Sequence, residues 1–454
     1  MRPPTSGGDT WHAPLAGGLA AQPADPALLA SFWQVLRDPL LSDLIARAVA
    51  NNLDVAAAEA RVREARAQRK IALGAFFPEI TAGAGVTHSN RGSPRRTSTS
   101  TVVGTSAKGD LYSATLDATW EIDVFGGLRR GLEAADATQE AREADLRDAL
   151  VSLIGELALS YVDLRATQER LRIADANLVA QTQTLDLTQW RAQAGLVTEL
   201  DVEQAKTQLA STQAVIPNLR VALANAENRI AVLLGETPGS LAAQLDEVKP
   251  IPVTPVEVAV GVPADALAQR PDVRRAEREL AAQTAEVGVA TAAAYPSLTG
   301  LGSIGLEALS PGGLFRAGAA TGALAGNAAQ TLFSGGQVTG EIEAQDALRL
   351  AALASYQSTV LSALEEVENA LVAYAQEQDR RSSLAEGAAA ASRAFSLAQE
   401  QYGSGLIDFT AVLDAQRSML VLQDQLAESE GQVTSNLIRL YKALGGGWPV
   451  RQTS

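Results

Sequence analysis

Tyr112-Ser113-Ala114-Thr115-Leu116-Asp117-Ala118-Thr119-Trp120-Glu121-Ile122-Asp123-Val124, followed by Phe125-Gly126-Gly127, decides how this chain folds. Apolar or aromatic residues take every even position from 112 to 124, and hydroxyl or acidic residues every odd one. A period of two with one apolar and one polar face is a half-buried β-strand. Ordinary globular strands run about five or six residues. This one is long enough to cross a bilayer at a tilt, which takes about 9–11 residues.

Working outward, the same features occur a second time. Phe77-Pro78 opens a strand-like stretch before this one, and Tyr295-Pro296 opens another at an offset of 218 (296 − 78 = 218). Asp54 and Glu59 meet Asp272 and Glu277 at that offset. Gly195-Leu196-Val197-Thr198 returns as Gly405-Leu406-Ile407-Asp408 at an offset of 210 (405 − 195 = 210), and Leu234-Gly235 returns as Leu444-Gly445. Phe125-Gly126-Gly127 returns, one residue longer, as Phe333-Ser334-Gly335-Gly336. Two near-constant offsets indicate a duplicated unit of roughly 200 residues.

Residues 1–37 are rich in Gly, Pro and Ala and read as an extended segment. The first repeat covers 38–235. Its opening helix starts at Asp38-Pro39, a cap followed by a first-turn proline, and runs to about Leu73. Strands follow over about 79–88 and 111–124, around a polar loop at 89–110. Long helices are expected over 128–194 and 199–234. In the first of these Leu150, Leu157, Leu164, Leu171, Leu178 and Leu185 recur every seventh residue. That spacing predicts helices packed side by side with left-handed supercoiling, on the order of 100 Å long. Pro238, Pro250, Pro252 and Pro255 punctuate a linker over 236–263. The second repeat covers 264–446, with strands over 297–306 and 318–332 and long helices over 337–402 and 407–444. The last strand alternates weakly and is inferred from its repeat partner. Residues 447–454 read as a tail.

Composition excludes several functions. A net charge of −15 argues against nucleic acid as a partner. There is no Cys, and the two His, His12 and His88, fall in loop-like contexts, so no thiolate or imidazole metal site is expected. No cofactor and no catalytic residue is expected, because nucleophile elbow, phosphate loop and metal-ligand spacing are all missing. No apolar run reaches the roughly 18 residues of a membrane helix. A membrane β-barrel needs none.

Two strands per half cannot stand alone, and open sheet edges are not tolerated in lipid. Four strands per chain are still too few to close. Several chains sharing one barrel, with helices forming a wall that is wet on both faces, resolve both difficulties.

The motifs resemble the outer-membrane factor family, the TolC-like efflux ducts of Gram-negative bacteria. Within it they look most like the NodT-type lipoprotein branch that works with resistance–nodulation–division pumps. Phe32-Trp33, Asp38-Pro39-Leu40, Asn52-Leu53-Asp54, Phe77-Pro78, Trp120 to Gly127, Ala194 to Val197, Arg270-Pro271-Asp272, Tyr295-Pro296, Leu332 to Gly336 and Tyr402-Gly403-Ser404-Gly405 carry the resemblance. It covers about residues 31–446, and order and spacing make it specific.

The resemblance implies a mainly α fold with a membrane β-barrel portion: a homotrimer with a 12-stranded barrel in the outer membrane and a long α-helical coiled-coil barrel in the periplasm. It implies passive export of drugs, toxic compounds or metal ions, with a periplasmic adaptor protein and an inner-membrane pump as partners and outer-membrane lipid around the barrel. It also implies an N-terminal lipid anchor in the native precursor. The turns Gly195, Leu196, Val197, Thr198 and Gly405, Leu406, Ile407 match the family's adaptor-docking tips. Asp201, Tyr402 and Asp414 match its periplasmic gate. The family's other acidic ring falls on Ala411, where Asp408 stands three residues earlier, and its arginine tie falls on Ile407. The loop at Arg91 to Arg96 would face the exterior, within reach of lipopolysaccharide phosphates. A type I protein-secretion duct shares this fold, and a soluble coiled-coil scaffold is the alternative of another class.

Overall fold

The computed structural model describes residues 10–22, 26–89, 109–255 and 257–447. The Arg91–Arg96 loop lies outside them. In chain order the elements are β1 (Leu19–Ala20), α1 (Pro26–Ala30), a 3-10 turn (Phe32–Leu36), α2 (Pro39–Asn51), α3 (Leu53–Gly74), β2 (Glu79–Ser89) and β3 (Gly109–Glu121). Then come α4 (Gly127–Gln193), α5 (Glu199–Leu233), α6 (Ala242–Leu245), β4 (Val258–Ala259), α7 (Pro263–Gln269) and α8 (Pro271–Ala292). The chain continues through β5 (Ser297–Ala308), two short 3-10 turns, β6 (Ala320–Ala329), α9 (Gln337–Gly403) and α10 (Phe409–Ala443). Helices α3 and α8 have 22 residues each, α4 and α9 have 67, and α5 and α10 have 35, so the helix–strand–strand–helix–helix order recurs with matched lengths.

Several expectations change. Strand β3 spans Gly109–Glu121, not 111–124, because its pairing with β5 ends at Glu121. Within 1–37, expected to be extended, residues 26–36 form α1 and the 3-10 turn, because Phe32 and Leu36 are buried in the core. The opening helix breaks at Asn52, whose backbone is extended (ψ 132°). Its Oδ1 accepts from the N–H groups of Asp54 (2.9 Å) and Val55 (3.1 Å), so it caps α3 instead of continuing α2. Strand β6 spans Ala320–Ala329, not 318–332, because its partner β5 pairs with it only from Ser297 to Leu306. His88 lies in β2, not a loop, with Nδ1 2.6 Å from Asp110 Oδ1.

The structure divides into two compact units. The first takes its residues from 1–61, 143–275 and 356–454. One hydrophobic core joins Leu41, Leu44 and Ile45 of α2 to Ile154, Leu157 and Leu164 of α4, Ile230 of α5, Leu371 and Tyr374 of α9, and Leu437 and Leu440 of α10. Each such aliphatic side chain contributes about 1.5–3 kcal/mol on burial. Phe32 stacks on Tyr441 (centroids 5.5 Å apart), fastening the 3-10 turn to α10. Arg165 is wholly buried within this unit. It donates to Gln168 Oε1 (2.7 Å), the Glu247 carbonyl (2.7 Å) and the Tyr161 hydroxyl (3.1 Å). Tyr161 in turn donates to Asp38 Oδ2 (2.7 Å), the residue that caps α2. Burial foremost, with the bond to Asp38, pushes the Tyr161 hydroxyl well above its ordinary pKa, so it stays a donor.

The second unit takes residues 62–142 and 276–355. It holds an antiparallel sheet in the order β2-β3-β5-β6. The register aligns Ile80, Ala82 and Val86 of β2 with Ala118, Leu116 and Tyr112 of β3. Leu116 faces Ile304 of β5, and Gly302 faces Leu324 of β6. Along Ile80–Val86 and Tyr112–Trp120 this face carries no charged residue; the His88–Asp110 pair stands at its outer end. The other carries Glu79, Asp117, Glu121, Ser303 and Glu307, with Thr115 Oγ1 donating to Asp117 Oδ2 at 2.8 Å. The Phe125 and Tyr295 rings stack 5.1 Å apart, tying the first strand-to-helix crossing to the second helix-to-strand crossing. Among the described residues no helix is long and apolar enough to cross a membrane.

Candidate functional site

Two chain reversals in the first unit carry most of the residues singled out from the sequence. At the first, Gly195 adopts φ +73°, which a side chain would strain. The Gly195 and Leu196 N–H groups return to the carbonyls of Ala192 and Arg191, both at 2.9 Å, closing α4. At the second, Gly405 adopts φ +77°, and Gly405 and Leu406 return to Tyr402 (3.1 Å) and Gln401 (2.9 Å). Each reversal exposes a leucine, Leu196 at 73% and Leu406 at 75% of its surface. Val197 and Ile407 are half-buried.

The acidic residues are placed differently from one another. Asp201 is bound locally: its Oδ2 accepts from the Thr198 N–H (2.9 Å) and hydroxyl (2.8 Å), a capping box at the start of α5. Asp408 precedes α10 as its exposed N-cap residue and makes no side-chain cap. Asp414 is exposed on α10, with Arg417 Nη1 3.6 Å away. Tyr402 is half-buried against Phe409, ring centroids 5.4 Å apart. These rings join a small apolar cluster with Leu185, Ala205, Phe395, Val412 and Leu413. The tyrosine hydroxyl is buried and has no hydrogen-bond partner. Asp201 and Tyr402 are thus engaged by different neighbours within the chain.

Sequence reasoning missed Arg191, whose guanidinium stands 4.5 Å from the Tyr402 ring centroid. It also missed Gln181 of α4 and Gln416 of α10, both buried with unpartnered amides. None of these leaves a local pattern. Among the described residues no cluster of His, Asp and Glu has the arrangement of a metal site.

With the long helix pairs, the two reversals and the one-sided sheet described, the relatives become informative. The family model described as outer membrane efflux protein matches residues 44–236 and 262–446. The chain belongs to the outer membrane efflux protein family. The chain is 31% identical over 427 residues to nodulation protein T of Rhizobium leguminosarum bv. trifolii, covering 92% of this chain and 88% of that protein. It is 33% identical over 463 residues to the pyoverdine export outer membrane protein OpmQ of Pseudomonas putida, covering 96% and 91%. The solved outer-membrane channel OprN superposes with a TM-score of 0.91 at 35% identity, covering 99% of this chain and 98% of that one. Outer membrane efflux proteins act in tripartite pumps with an adaptor and an inner-membrane transporter. Their place in the outer membrane is consistent with the one-sided sheet.

Proposed function

We propose that this outer membrane efflux protein is a passive duct, three copies of which close a 12-stranded barrel and line a helical tunnel for small molecules driven through by an inner-membrane pump. The observation that carries this reading is the open sheet. Strands β2 and β6 each keep one edge unpaired among the described residues. Their order alternates in direction, so β6 of one copy would run antiparallel to β2 of the next. A closed ladder then leaves no edge in lipid. The apolar face would meet lipid, with the His88–Asp110 pair at its rim, and the acidic face the lumen. The matched helix lengths support a duplicated unit, six copies of which would surround the axis.

The exposed Leu196 and Leu406 support docking of an adaptor at the reversals, since apolar groups bared at a tip favour a contact. Asp201, Tyr402, Asp408 and Asp414 are the proposed gate residues. The test is reconstitution in planar bilayers, coupled to resistance assays in a host lacking its own duct but supplied with the adaptor and pump. Discrete channels, detergent-stable trimers and restored resistance are expected. A monomer that stays monodisperse without detergent and passes no current would overturn the reading.

A further inference from the structure

Arg191 lies in the last turn of α4 and Tyr402 in the last turn of α9, each within one turn of its chain reversal. The Arg191 guanidinium carbon stands 4.5 Å from the Tyr402 ring centroid, well inside the roughly 6 Å over which a cation is drawn to an aromatic face. Among the described residues Arg191 forms no ion pair. The Tyr402 hydroxyl is buried without a hydrogen-bond partner, so the ring face makes the contact and the hydroxyl does not. Asp201 is held by Thr198 at the start of α5 and makes no bond to that hydroxyl. Tyr402 also packs on Phe409, the first residue of α10. A single chain of contacts therefore runs from the end of α4, through the tyrosine ring, to both helices of the second hairpin.

We propose that Arg191 is a positioning residue for the gate, a cation–π tie that holds the α4–α5 hairpin against the α9–α10 hairpin beside their reversals. The tie rests on the duct reading for its role in conduction, but not for its existence. Any separation of the two hairpin ends must lift the guanidinium off the ring. A contact of this kind shifts an opening equilibrium by roughly two- to thirtyfold, according to how far it is desolvated. Arg and Lys are not equivalent here, because only the planar guanidinium stacks flat on the ring.

Two readouts on the full-length chain test this. The first is a distance distribution between spin labels at Gln193→Cys and Gln401→Cys. Both positions are exposed, and the chain has no other Cys to take label. The second is single-channel conductance in planar bilayers. Arg191→Ala and Tyr402→Ala are expected to broaden and lengthen the distance and to raise conductance. Tyr402→Phe keeps the ring and is expected to match the parent in both. Arg191→Lys should fall between, and the double variant Arg191→Ala with Tyr402→Ala should exceed neither single one, because both remove the same contact. Tyr402→Phe behaving as Tyr402→Ala overturns the tie, since the hydroxyl would then carry it. So does an unchanged distance in Arg191→Ala. If the parent passes no current the duct reading fails, and the label distances still decide whether the tie exists.

Discussion

Arg270 Nη1 donates to the carbonyl of Ala443 at 2.7 Å, joining the turn before α8 to the last residue of α10. Its Nε and Nη2 hold Asp272 at 3.0 and 2.7 Å, and Nη2 also reaches Glu366 of α9 at 2.7 Å. The guanidinium is almost wholly buried. Burial alone would push the Asp272 carboxyl up, but the bonds and charge of Arg270 outweigh it and hold Asp272 below the usual carboxylate range. Removing one partner of a buried pair leaves the other uncompensated. Arg270→Ala should therefore cost about 3 kcal/mol or more, read as a lower midpoint in thermal unfolding in detergent. The contribution of Asp272 is present above its unfolded pKa and is lost as pH falls through its lower folded value. The variant's deficit should accordingly narrow in strong acid.

The position that corresponds to Arg270 in the first half is Asn52, and it makes the corresponding bond. Asn52 Nδ2 donates to the carbonyl of Leu233, the last residue of α5, at 2.9 Å, while Oδ1 caps α3. Both ends of the amide are used, and the residue is buried. Asn52→Ala should cost about 1–3 kcal/mol. Asn52→Asp keeps the cap but loses the donor, and should be nearly as damaging. Denaturant midpoints of the two variants check this; an Asp variant as stable as the parent would remove the Leu233 bond from the account.

That pair shows how far the sequence could be read. The offset that aligned Asp54 with Asp272 also aligns Asn52 with Arg270. The shared role of two chemically different side chains appears only when both reach a helix-end carbonyl. The strand at β3 was legible because from Tyr112 to Glu121 one face is apolar and the other polar without interruption. In β6, Ala320 to Ala329 is almost all Ala and Gly, and its limits come from its pairing with β5. The heptad leucines placed α4, yet only Leu157 and Leu164 among the six are fully buried. The turns Gly195 and Gly405 were legible from local backbone chemistry. The Arg191–Tyr402 contact was not, because residues so far apart in sequence meet only through tertiary packing.

Leu116 and Thr115 are neighbours in mid-strand that face opposite sides of the sheet. With the apolar face toward lipid, as proposed, Leu116→Lys should destabilise the membrane-inserted sheet by about 2–4 kcal/mol. Thr115→Lys, on the face that carries Asp117, should leave stability near the parent and shift ion selectivity toward anions. Folding titrations into vesicles measure the first, and reversal potentials under a salt gradient measure the second. Equal damage from both would mean that the sheet is buried on both sides.

Asp148 of α4 supplies a pH test in the first unit. Burial first, then the negative charges of Asp272 and Asp145, push its carboxyl up, and Arg275 and Lys442 offset this only in part. Arg275 lies 3.3 Å from Asp145, so its charge is shared. A raised folded pKa means that the ionised form is the one penalised on folding. The penalty is full above the folded pKa, fades as pH falls through it, and is gone below the unfolded value of about 3.9. Asp148 thus lowers stability at neutral pH. Asp148→Asn should raise the thermal midpoint at pH 7, and the two proteins should converge as the pH approaches about 4. Midpoints measured across that range give the sign directly. A variant less stable than its parent at pH 7 would show that Asp148 is held charged by Arg275 and Lys442, against the balance described here.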